Sequence, residues 1–138
     1  MTHPGNPERP AKPMRIFPLI GAVLGLLAVA AGAFGAHALK DKLTPDQLDS
    51  FMTAARYQLV HAVLLVALAQ LPASRPIRIA CGLFVAGILC FAGSIYLLTL
   101  ANASWAWPIT PLGGLLLMLG WGALIIHFAT RAGRTDTL

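Results

Sequence analysis

Eight polar side chains stand out in a chain that is 57% hydrophobic and only 11% charged: His37, Arg56, Tyr57, Gln58, His61, Ser94, Tyr96 and Thr110. Counted along helices at about 1.5 Å per residue, they fall towards one end of the molecule. Ionisable groups at membrane depth are costly and face a bundle interior or a water-filled cavity, which leaves two readings. In one, the eight line a small outward-facing polar pocket for an anion, a metal or a headgroup. In the other, which is favoured, they form a satisfied structural network. Arg56 then pairs with Asp49 or Asp41, and His61 bonds to a neighbouring helix, because polar pairs also hold membrane helices together. Arg56 and His61 are the expected centre of the group, with His61 neutral and bonded to Tyr57, Ser94 or Tyr96.

No catalytic set accompanies them. The chain has no Gly-x-Ser-x-Gly, no His-Glu-x-x-His, no carboxylate pair inside an apolar run and no glycine-rich phosphate loop. His37 and His61 lack a carboxylate or thiol at ligand spacing, short of the three protein ligands that zinc sites use. No metal, cofactor or enzymatic activity is therefore expected. Cys81 and Cys90 lie nine residues apart in one apolar run. On a helix that is roughly 13 Å along the axis, too far for a disulfide.

The elements that position these residues are four apolar runs. The charged fraction is less than half the about 25% usual in soluble domains. The net charge of +5 does not point to nucleic acid, because the basic residues flank the apolar runs instead of forming a stripe. Residues 16–39 and 77–100 are long enough to cross a hydrocarbon core of about 30 Å, as is 109–129. Between the first two, Thr44-Pro45-Asp46-Gln47 reads as a helix start, with Thr at the cap, Pro at the first position and Gln three residues after the cap. The helix pattern then holds to Leu71. Its first half is two-faced: Asp46, Asp49, Ser50, Thr53, Arg56, Tyr57 and His61 on one side, Leu48, Phe51, Met52, Ala55 and Leu59 on the other. At about 40 Å it exceeds the hydrocarbon thickness and should project past it. Small residues recur on the first run (Gly21, Gly25, Ala28, Gly32, Gly35) and on the third (Gly82, Ala86, Gly93, Ser94), suited to close helix contact.

The expected fold is all-α: an integral membrane bundle of four transmembrane helices, the second extended and amphipathic at its start. It divides into a disordered proline-rich tail at 1–15, a transmembrane domain at 16–130 and a short basic tail at 131–138. Seven basic residues (Arg9, Lys12, Arg15, Arg75, Arg78, Arg131 and Arg134) collect on one side, which the positive-inside rule assigns to the cytoplasm together with both termini. Trp105 and Trp107 suit the opposite interface, and His127 is expected as an interface residue near Arg131. Arg9, Lys12 and Arg15 with Ala36-His37-Ala38 also admit a signal peptide, although the apolar run exceeds a usual h-region. The ends of runs one and three (AAGAFGAHAL and CFAGSIYLLT) admit a weak two-plus-two repeat.

Three blocks carry a resemblance: Gly-Ala-Phe-Gly-Ala-His at 32–37, Ala-x-Arg-Tyr-Gln-x-x-His at 54–61 and Ile-Thr-Pro-Leu-Gly-Gly at 109–114. With them the chain from about Ile16 to Ala129 resembles the YgdD/YwdK-type family of small inner-membrane proteins of unknown function. The resemblance implies four membrane helices and residence in the bacterial plasma membrane, and it supplies no chemistry. The expected function is that of a non-enzymatic structural or assembly-partner protein with an outward-facing polar cluster. The alternative is a small-solute or ion carrier using a His37/Arg56/His61 pocket. Membrane lipids and a second copy of the chain are the expected partners, the latter through small-residue faces left over after intramolecular packing.

Overall fold

The computed structural model describes residues 14–135. Four helices follow one another: α1 (Ile16–His37), α2 (Pro45–Leu68), α3 (Arg75–Ala101) and α4 (Ile109–Thr135), with a 3-10 turn at Ser104–Ala106 before the last. All four are long and apolar enough to cross a membrane. No strand occurs among the described residues. The tail expected at 1–15 lies outside the described residues except for Met14 and Arg15.

The helix ends follow local chemistry. Thr44 accepts the Gln47 backbone N–H on its hydroxyl at 3.3 Å, and Gln47 Oε1 accepts the Thr44 N–H at 3.1 Å. This closes the expected capping box and satisfies two of the donors left open at a helix start. α2 stops at Leu68 and not at Leu71, because the residue before Pro72 is pushed away from helical geometry. The N–H groups of Gln70 and Leu71 close instead onto the carbonyls of Ala67 and Leu68. α1 likewise stops at His37, two residues short of expectation, where the Ala38 and Leu39 N–H groups both reach the Phe34 carbonyl. α3 starts two residues early, since Pro76 is tolerated in a first turn whose N–H groups have no partner anyway. α4 runs on to Thr135, through much of the expected 131–138 tail, and Arg131 in its last turns complements the negative end of the helix dipole.

The helices pack in sequence order, α1 on α2, α2 on α3 and α3 on α4. The inner pair is well covered, whereas the most apolar stretch of α1 is only 17% buried against 44% for α2. Leu65, Ile77, Cys81 and Phe84 are fully buried in a core that also takes in Leu24 of α1 and Leu117 and Leu124 of α4, and both cysteine thiols are free.

Glycine lets two of these contacts close. On α1, a methyl at Gly21 would come 2.9 Å from the Ala62 carbonyl oxygen, and Ala28 and Gly35 are also buried. The small-residue face of α1 is thus largely used against α2. On α3 the expected contacts at Gly82 and Gly93 are not made, for both face open space. The α3–α4 contact uses Gly87, Gly113 and Gly120 instead. Gly87 receives the Leu117 side chain, Gly120 receives the Phe84 ring, and Gly113 lies against the backbone of Cys90 and Phe91.

Candidate functional site

The buried face of α2 is an apolar stripe at helical spacing, Phe51, Ala54, Ala55, Ala62, Leu65 and Leu68, with Gln58 and His61 set into it. An unpaired amide there would cost several times what a hydrogen bond returns. Gln58 Nε2 donates to the Leu24 carbonyl of α1 at 2.8 Å, and its Oε1 accepts the Tyr96 hydroxyl of α3 at 2.9 Å. One amide therefore joins three helices, and its orientation is fixed because a carbonyl only accepts and Tyr96 donates its single proton.

His61 occupies a second, separate position. Its Nδ1 lies 2.7 Å from the Tyr57 carbonyl one turn back, and its Nε2 accepts the Trp121 indole N–H of α4 at 3.2 Å. A carbonyl needs a donor and an indole N–H needs an acceptor. The pair admits one arrangement: a neutral ring with its proton on Nδ1. Phe84 and Trp121 pack around it with ring centroids 5.4 and 6.2 Å away. A third join links α3 to α4, where Ser94 and Thr110 hydroxyl oxygens lie 2.7 Å apart and Ser94 also donates to the Phe91 carbonyl at 3.0 Å.

Six of the eight sequence candidates fall into three separate joins, and two belong to none. Gln58 pairs with Tyr96, and Ser94 pairs with Thr110. His61 bonds the Tyr57 backbone rather than the Tyr57, Ser94 or Tyr96 side chain. His37 and Arg56 are exposed, and no ion pair forms among the described residues, so the expected bonds from Arg56 to Asp49 or Asp41 are absent there. The cause is rotational: Arg56 points away from the stripe that carries Gln58, two positions on. Tyr57 is half exposed, and its ring packs at a tilt against Phe91, centroids 5.0 Å apart. Trp121 was missed, although a tryptophan twelve residues into an apolar helix, away from either interface, is itself a signal that its N–H has found a partner.

His127, expected near the membrane interface, has its side chain buried at the start of α3, with Nδ1 3.4 Å from the Ser74 hydroxyl and no hydrogen-bond partner for Nε2 among the described residues. No group of three or more metal-ligating side chains occurs among the described residues.

An apolar groove of about 610 Å³ runs between α1 and α3 over α2, walled by Leu27, Ala30, Phe34, Leu89 and Gly93, with Gln58 and Tyr96 its polar spots. On the other side of α3, a recess of about 740 Å³ carries Asp49, Thr53, Trp107 and Thr110.

Comparison with known proteins now bears on this arrangement. A family model described as a protein of unknown function (DUF423) matches residues 31–114. A UPF0382 membrane protein of Staphylococcus aureus is 37% identical over 122 residues, covering 87% of this chain and all of the relative. The UPF0382 membrane protein YwdK of Bacillus subtilis is 36% identical over 117 residues, covering 82% and 95%. The chain belongs to this family. No solved structure matches it. The DUF423 segment contains Gln58, His61, Ser94, Tyr96 and Thr110, whereas Leu24 and Trp121, which complete two of the joins, lie outside it. The YwdK-type resemblance read from the three sequence blocks is thereby shown, and with it a membrane protein of four helices.

Proposed function

We propose that this DUF423 protein is a non-catalytic component of the plasma membrane that works through assembly, offering the α1–α3 groove to a second copy of itself. The observation that carries the reading is how the polar groups on the buried face of α2 are spent. Gln58 and His61 are each held by two partners, and those partners lie on other helices or on the backbone. Side chains so committed fix helix positions and are not poised for chemistry. None of His37, Arg56 and His61 lines the α1–α3 groove or the Asp49 recess, which supports assembly over the carrier.

The groove supports self-association for a steric reason. Membrane helices gain little from burying apolar surface and associate where small residues let backbones approach. Ala30, Ala31 and Gly93 supply such a strip beside the bare flank of α1. The basic-residue distribution supports cytoplasmic termini. Cysteine introduced at Ala30 should cross-link two copies in native membranes, and native mass spectrometry in several mild detergents should show a dimer. A single-subunit mass throughout, with no cross-link at Ala30, would defeat the reading.

A further inference from the structure

The recess between the starts of α2 and α4 differs in chemistry from the groove. Asp49, in the second turn of α2, brings a carboxylate to it, and Ser50 and Thr53 add hydroxyls. None of the three makes a side-chain hydrogen bond or ion pair among the described residues. Thr110 shares a hydroxyl–hydroxyl hydrogen bond with Ser94 at 2.7 Å, and Ser94 also lies 3.0 Å from the Phe91 carbonyl. Whichever hydroxyl donates, Thr110 keeps an oxygen lone pair that can accept from a ligand. An ionised carboxylate only accepts. The indole of Trp107, 72% exposed, adds a π face of the kind that attracts cations. The polar wall is thus rich in acceptors and carries one unneutralised negative charge.

The floor, by contrast, is apolar: Phe91, Ile95 and Leu98. Arg56 lies seven residues beyond Asp49 on the same helix, about 10 Å further along the axis, and is exposed with no anion bonded to it. Reading along α2 from its start, the order is carboxylate, hydroxyls, guanidinium, then hydrocarbon. A phospholipid with an ethanolamine headgroup presents the complementary order of ammonium, phosphate and acyl chain. We propose that this recess binds an ethanolamine phospholipid, its ammonium N–H groups on Asp49 and Thr110 and its phosphate towards Arg56. A quaternary ammonium has no N–H to donate and leaves the acceptors unmatched, so a choline lipid should bind less well. A glycerol headgroup brings no cation at all.

The test is native mass spectrometry of the full chain in detergent, titrated with phosphatidylethanolamine, phosphatidylcholine and phosphatidylglycerol of identical chains, alongside a long-chain alkylamine and free ethanolamine. The ethanolamine lipid should bind about tenfold tighter than the other two lipids, the gain expected of one charge-assisted contact. Asp49→Asn should remove that preference and weaken the alkylamine as well. Arg56→Gln should weaken the ethanolamine lipid and leave the alkylamine unchanged, which a merely structural role for either residue would not produce. Both variants should melt as the wild type does, because neither side chain is bonded within the described chain. Equal binding of the three lipids, indifference of the preference to Asp49→Asn, or displacement of the lipid by free ethanolamine at matching concentration would each overturn the proposal.

Discussion

Gly113→Ala is the most severe small change the structure identifies. The added methyl would lie 2.8 Å from the Cys90 carbonyl carbon and closer still to the backbone of Phe91. Backbone atoms cannot swing aside as a side chain can, so α3 and α4 must separate and loosen the contacts at Gly87 and Gly120. Overpacking costs about 1–3 kcal/mol, and a backbone clash belongs at the upper end. Alanine returns about 1 kcal/mol through helix propensity, leaving a net loss of about 2 kcal/mol. Gly82→Ala is the matched control on α3. Nothing lies within 4 Å of its added methyl, so it should be neutral or gain up to about 1 kcal/mol. Reversible unfolding in mixed micelles, followed by tryptophan fluorescence, measures both. Equal stability of the two variants would refute the argument that α4 is seated on α3 through Gly113.

Thr44→Ala removes one half of the capping box and should cost about 1 kcal/mol, read in the same unfolding assay and reduced to nothing if the box contributes no stability. Trp121→Phe keeps the ring and deletes the N–H that His61 accepts, so a loss of about 0.6–1.7 kcal/mol is expected; unchanged stability would show that this contact holds nothing. Arg56→Ala removes an exposed side chain with no partner and should shift stability by less than about 0.5 kcal/mol, whereas a large drop in melting temperature would restore Arg56 to the centre of a structural network.

The architecture was legible because length, apolar runs and the Thr44–Gln47 spacing act locally, and each has one structural solution in a membrane. Membership of polar groups was less so. Gln58 sits between the two faces assigned to α2, and only the rotation set by α1 and α3 decides that it is buried and Arg56 is not. The glycines illustrate the same limit: Gly82 and Gly113 have identical chemistry, and which one meets a neighbour depends on how α3 is turned towards α4. The Asp49 recess was illegible for a further reason. Its walls come from three helices and from the turn carrying Trp107, which only the packing of α2, α3 and α4 brings together.

The central claim is that the polar residues buried between these helices serve to join them. The Gln58–Tyr96 contact tests it most directly, through a double-mutant cycle of Gln58→Leu and Tyr96→Phe measured by unfolding in bicelles. Hydrogen bonds between membrane helices couple by about 0.6 kcal/mol on average and about 1.7 at most, and residues in contact depart from additivity accordingly. A favourable coupling in that range, with both single variants less stable than the wild type, is the predicted result; additive variants with no coupling would contradict it.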